Sequence, residues 1–208
     1  MCIRDRIMTA LVAIESGELD KTVEVRPEAC GVEGSSVYLR PKEKLTLKEL
    51  LYGLMLQSGN DCAVAIAYEL AGGVENFADM MNSRAKELGA NNTNFVTPNG
   101  LHDDNHYTTA YDLGLIACQA LSNDTFREIV GTKSVKISNE GFDYPRVITN
   151  KNKLLGRLDG ADGVKTGYTK KAGRCFVGSA TRNGMSLVCV VLNCAPMFEE
   201  SAELIEYL

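Results

Sequence analysis

The sequence predicts an α+β domain with helices packed on an antiparallel sheet, and three observations carry the prediction. Helical patterning fills the first part of the chain and β-type runs fill the last, an order that suits segregated helices and strands. Arg174 to Thr181 and Met185 to Leu192 are two β runs meeting at Asn183-Gly184, a pair suited to the left-handed φ values of a type I′ turn. Thr46-Leu47-Lys48-Glu49 is a capping box, with Leu47, Leu50, Leu51 and Leu54 along one helical face behind it.

The elements follow in order. Ile7 to Gly17 is apolar almost all round and ends on a glycine, which describes a buried helix starting at Ile7. Met1 to Arg6 changes character abruptly, with three charges and no cap. Val23 to Val25 and Val37 to Leu39, punctuated by Pro27, Gly31 and Gly34, predict a small hairpin lobe. The helix behind the capping box runs out near Gln57, and Asn60 or Asp61 is placed to cap the next one, Ala63 to Leu70. Ser58-Gly59-Asn60 is therefore a tight corner between two buried helices. Further helices are expected over Val74 to Leu88, from Thr109 as a cap to about Leu121, and from Asp124 to Val130. Thr97-Pro98-Asn99-Gly100 reads as a turn, Ser134 to Ser138 and Arg146 to Thr149 as strands, and Phe198 to Leu208 as an amphipathic helix still in register at its end.

Composition narrows the class. The 208 residues suit one domain, or one with a smaller lobe, and 45% apolar with 24% charged residues is ordinary for a globular chain. A net charge of −5 without a basic stripe argues against nucleic acid as the partner. No run approaches a membrane span, and no stretch has the three-part layout of a secretory signal. The seven cysteines are scattered singly with no C-x-x-C pair, so neither a disulfide framework nor a zinc site is expected, and most read as small core residues.

The chemistry is expected around Asp162-Gly163-Val164-Lys165-Thr166-Gly167-Tyr168. This glycine-flanked strand brings a cation and a hydroxyl against an anionic ligand, while Gly167 lets backbone pass close by. Ser58-Gly59-Asn60 should face it. A chain of this length holds a chance Ser-x-Asn about half the time, and a chance Lys-Thr-Gly about once in twenty chains, so the weight lies in the pairing of a helix corner with a hairpin strand. The bland alternative is a capping serine and a solvated lysine.

The order of these two motifs resembles two of the three motifs of the penicillin-recognising serine enzymes, and the wider wording is similar to the D-alanyl-D-alanine carboxypeptidases, the low-molecular-weight penicillin-binding proteins. Ile7 to Leu11, Leu50 to Asp61, Pro98 to His102, His106 to Asp112 and Asp162 to Thr169 carry the resemblance, which covers about residues 7–208. It implies a β-lactamase/transpeptidase-like fold and acyl transfer on the D-Ala-D-Ala end of peptidoglycan stem peptides, with β-lactams as inhibitors and no metal or organic cofactor. By the same resemblance Ser58 relays a proton to the departing D-alanine and Asn60 holds the substrate amide. Lys165 supplies positive potential, Thr166 binds the terminal carboxylate beside Gly167, and the Tyr168 N–H is one oxyanion donor. An extracytoplasmic location follows, with any membrane contact made through segments outside this chain.

One departure stands out. The family's Ser-x-x-Lys should put serine at position 3 and lysine at position 6, where this chain has Ile3 and Arg6. Isoleucine is not acylated, and arginine does not give up its proton. The nearest hydroxyl, Thr9, falls on the helix interior. Either the chain is a pseudoenzyme that kept a peptidoglycan- or penicillin-binding pocket, or residues 1–6 are foreign or mis-joined and 7–208 is a truncated catalytic domain; the second is the favoured expectation. The family's first sheet strands have no counterpart here, so an open sheet edge and marginal stability are expected. A class A β-lactamase would want Ser-Asp-Asn and a loop glutamate, but position 59 is glycine and no suitable glutamate lies between Thr125 and Asp162. His102 and His106 read as loop-packing residues rather than metal ligands. Asp162 is either a partner for Lys165 or an exposed acid at the strand entry. Glu49, Glu69, Glu199 and Glu200 read as helix-surface charges.

Overall fold

The computed structural model describes residues 2–207; of the first helix, the side chains of Cys2 and Arg4 lie outside the description. Helix α1 spans Cys2–Glu15, so it begins five residues before the expected start. Ile3, Ile7 and Met8 are fully buried along it, and Asp5 and Arg6 are buried too because both find polar partners across the core. The end of the last predicted helix, Leu208, lies outside the described residues.

Strand β1 (Thr22–Glu24) pairs antiparallel with β2 (Lys44–Thr46), not with Val37 to Leu39. The latter segment is claimed by a side chain instead. The buried carboxylate of Asp61 accepts from the backbone N–H groups of Val37 and Leu39 and from the Ser36 hydroxyl, which leaves that run unable to form a ladder. Helix α2 (Leu47–Tyr52) opens with the expected capping box and continues through a π-helical turn, Gly53–Gln57. Helix α3 (Asn60–Ala71) starts earlier than expected, with Gly59 as its cap residue. Asn60 and Asp61 therefore sit in its first turn, and neither serves as the cap. Helices α4 (Val74–Glu87), α5 (Ala110–Leu121, capped by Thr109) and α6 (Asp124–Gly131, capped by Asn123) follow the sequence closely.

Strands β3 (Ser134–Ile137) and β4 (Arg146–Thr149) form a two-stranded ladder. The main sheet is antiparallel in the order β5 (Ala161–Thr169), β6 (Gly173–Arg182), β7 (Met185–Val191). Asn183 and Gly184 join the last two with φ of 50° and 80°, both left-handed as a type I′ turn requires. Alternation along β6 divides the core. Cys175 and Val177 face the large cluster built from α1, α3, α5 and α6, whereas Phe176 and Ala180 face a smaller cluster with Leu154, Leu158 and α7 (Met197–Glu206). Among the described residues, β7 has no strand on its outer side.

Several single-residue expectations change. Cys62, Cys175 and Cys189 are buried, but Cys30 and Cys194 are half-buried and Cys118 is exposed, all as free thiols, so half of the described cysteines are outside the core. Glu49 is not a free surface charge: it closes the capping box and accepts from Ser138 N. Glu69 pairs with Lys21 at 3.0 Å. Asp162 neither reaches Lys165 nor stands exposed, since Ser179 and Thr181 on the next strand both donate to it.

Two contacts, one at the end of α2 and one at the start of α3, are testable. Asp61→Ala strands buried backbone donors, and urea unfolding should show a loss of roughly 3 kcal/mol. Tyr52 donates to Glu128 at 2.7 Å, and burial, then that carboxylate, pushes its phenol up to about 12. The folded value lies above the unfolded one, so this contribution is whole below about pH 10 and is lost as pH rises toward 12. Ultraviolet titration should show one late-ionising tyrosine that disappears in Tyr52→Phe.

Candidate active site

The site is built at the seam between the α2–α3 corner and the edge strand β5. The π-helical turn ends on Ser58 with φ 66° and ψ 36°, a left-handed conformation that a residue with a Cβ adopts at a strain of about 1 kcal/mol. The strain turns the Ser58 side chain away from both helices and toward β5. Gly59 is required at the next position. A Cβ there would lie 2.7 Å from Asp61 Oδ1 and 3.0 Å from Cys62 Sγ, and Asp61 is pinned by its backbone donors. The aspartate that a β-lactamase reading asks for at position 59 has no room.

Lys165 comes from the middle of β5 and is only 1% exposed. Its ammonium donates to Ser58 Oγ at 2.6 Å and to the Thr166 carbonyl at 3.0 Å. Residues 107 positions apart are thus joined by a short, charge-assisted hydrogen bond in a buried setting, where such bonds are strong. The lysine does not line the open cleft as the sequence suggested; it stands behind the wall, in contact with the cleft-lining Ser58.

A cleft of about 640 Å³ opens in front of this pair, lined by Ser58 and Asn60 on one side and Thr166, Gly167 and Tyr168 on the other. All the predicted site residues except the Lys165 side chain therefore line one concavity. Asn60 is held at both ends of its amide, donating to the Glu33 carbonyl at 2.5 Å and accepting from Arg6 Nη2 at 2.6 Å. Its backbone N–H donates to Ser35 O at 2.7 Å. Gly167 faces Ile3 so closely that a Cβ would overlap the Ile3 side chain. Of positions 3 and 6 of α1, Ile3 is buried against Gly167 of the Lys-Thr-Gly strand, and Arg6 lines the cleft against Asn60.

Behind them, Asp5 pairs with His106 in a fully buried contact. Val96 N donates to His106 Nδ1 at 3.1 Å, so that nitrogen carries no proton and Nε2 is the one that donates to Asp5. His102 is exposed, with its ring and Asp104 both on the Lys171 ammonium. The two histidines therefore go to different places, His106 as a packing residue and His102 to the cleft rim. Thr9 is buried and donates to the Pro98 carbonyl at 2.9 Å, which fixes the Thr97–Gly100 turn as the third wall. Sequence reasoning missed the roles of Arg6, Lys151, Lys153 and Arg174 in lining the cleft. Lys153 and Arg174 carried no local signal, since they meet only when the α7 region folds over β5.

A helix corner bearing Ser-x-Asn, opposed across a cleft by Lys-Thr-Gly on the edge of an antiparallel sheet, defines a β-lactamase/transpeptidase-like architecture. The sequence profile of the D-alanyl-D-alanine carboxypeptidase family matches residues 5–195. The chain is 36% identical over 208 residues to the D-alanyl-D-alanine carboxypeptidase DacF of Bacillus subtilis, covering 98% of this chain and 53% of that protein. Against DacC of Escherichia coli it is 35% identical over 217 residues, covering 97% of this chain and again 53% of the relative. Among solved structures it superposes on a D-alanyl-D-alanine carboxypeptidase from Mycobacterium tuberculosis with a TM-score of 0.91 at 32% identity, covering 98% of this chain and 79% of that one. A point variant of a Streptomyces DD-transpeptidase gives 0.89 at 34% identity over all of this chain and 86% of the other. The chain belongs to the D-alanyl-D-alanine carboxypeptidase family. It spans about half the length of these two curated relatives.

Asn60 is the residue on which the cleft's second wall hangs. Asn60→Ala should release the 33–36 segment, with faster amide hydrogen exchange there and a stability loss of about 1–2 kcal/mol from the stranded partners.

Proposed function

We propose that this chain carries the recognition and proton-relay parts of a serine-type D-Ala-D-Ala carboxypeptidase acting on peptidoglycan stem peptides. The observation that carries the reading is the Lys165–Ser58 hydrogen bond at 2.6 Å across the cleft wall. Because the ammonium donates to Ser58 Oγ, the serine's own proton is free to point outward, where a departing amine would take it. Lys165 replenishes the relay and keeps the local potential positive. Thr166 presents a half-buried hydroxyl to the terminal carboxylate, Asn60 positions the preceding amide, and the Tyr168 N–H offers an oxyanion donor.

Acylation also needs a nucleophilic serine and a base lysine at the start of α1, where this chain has Ile3, buried against Gly167, and Arg6, which lines the cleft. As it stands the chain binds its ligands without cleaving them. That is also what the pseudoenzyme reading requires, and the Arg6–Asn60 hydrogen bond favours a cleft occupied by a fixed cation. The alternative, that residues 1–6 do not belong to the catalytic domain 7–208, is separated from it by restoring the missing pair. Penicillin-type ligands fit the same reading as inhibitors, and an envelope location suits a polymer substrate outside the cell.

Labelled penicillin and a D-Ala-D-Ala peptide test these roles. The chain itself should give no covalent adduct. Ile3→Ser combined with Arg6→Lys should form one and release D-alanine. In that background Ser58→Ala or Lys165→Ala should lower turnover by about 10²–10⁴-fold, the usual reach of proton-transfer catalysis. Full activity in both would remove Ser58 and Lys165 from the mechanism.

A further inference from the structure

A second concavity of about 610 Å³ adjoins the cleft, sharing Lys153, Arg174, Met197 and Phe198 with it and extending to Arg157. Its floor is apolar, made by Leu154, Met197, Phe198 and Ala202, and among the described residues its one acid is Glu199. Lys153, Arg157 and Arg174 are all exposed, and none of their three side chains has an ion-pair or hydrogen-bond partner among the described residues. The Lys153 ammonium merely lies 6.0 Å from the Phe198 ring centre. Elsewhere on the surface, cations such as Lys21, Lys48, Arg84 and Lys171 are matched to carboxylates. Three cations around one hollow, against the single acid Glu199 in its described lining, hold a positive local potential in a chain of net charge −5.

The direction of β5 says which part of a ligand would meet them. On the reading above, Thr166 takes the terminal carboxylate and Tyr168 N–H the carbonyl one residue upstream. In the β5–β6 ladder Arg174 is the partner of Tyr168, so it stands at the upstream end. We propose that this second concavity is a subsite for carboxylates carried upstream of the D-Ala-D-Ala end, so that the site prefers stem peptides with free upstream acids over the same peptides amidated. The apolar floor takes the methylenes of the acidic side chains, and Arg157, Lys153 and Arg174 take the charge. This inference rests on the carboxypeptidase reading of the first cleft and adds a substrate preference to it.

Arg157 lines only the second concavity, which makes it the clean probe. Calorimetric titration would compare two synthetic pentapeptides ending in D-Ala-D-Ala, identical except that the upstream carboxylates are free in one and amidated in the other. A control peptide would end in L-Ala-L-Ala. The free-acid peptide should bind about tenfold more tightly at low salt, with the preference shrinking as salt screens it. Arg157→Ala should reduce the preference to about twofold, Arg157→Lys should keep most of it, and the amidated peptide should bind all three proteins equally. Equal affinities for the two D-Ala-D-Ala peptides, both above the control, would overturn the subsite and leave the first cleft standing. No discrimination from the L-Ala-L-Ala control would overturn both.

Discussion

The structure depends on one buried lysine. Lys165 is placed by its strand inside the protein, where an ammonium survives only if hydrogen-bond acceptors replace the water it gives up. Ser58 supplies one of them, and to do so it must sit in a left-handed conformation at the end of a π-helical turn. The turn in turn needs α2 and α3 to be anchored on either side. Tyr52 ties α2 to α6 through Glu128, and Asp61 ties the start of α3 to the Ser36–Leu39 segment. The desolvated charge on one edge strand thus constrains a helix corner more than a hundred residues earlier.

The same arrangement separates two uses of positive charge. Lys165 is buried and directional, with its ammonium donating to Ser58 Oγ. The cations at the junction with α7 are the opposite, exposed to solvent and open to screening by salt. Only the first kind is announced by a motif, because a buried polar contact tolerates few residue types. An exposed charge can be supplied from any nearby segment, and here Lys153 and Arg157 come from one stretch of chain and Arg174 from β6.

Local rules explain where sequence reading held. The Thr46 box, the Thr109 cap and the Asn183-Gly184 turn each depend on residues within four positions of one another, and all three appear as expected. The reading slipped where a distant partner outbid a local preference. Val37 to Leu39 has the composition of a strand, but Asp61 takes its N–H groups and β2 pairs with β1 instead. Asn60 looks like a cap, yet its amide is spent on Glu33 and Arg6. Residues before Ile7 look unhelical, yet buried partners for Asp5 and Arg6 extend α1 to Cys2.

The sequence by itself determined the α+β class, most of the helices, the β6–β7 hairpin and the two motifs that had to meet, since periodicity, capping and turn chemistry are short-range properties of the chain. It also determined which side chains stand at positions 3 and 6. Tertiary structure decided that Ser58 takes its lysine from behind rather than across open space, that Gly59 admits no side chain, and that unpaired cations gather beside the cleft. Those outcomes are set by packing between segments far apart in the chain, where burial, not local propensity, chooses the partner.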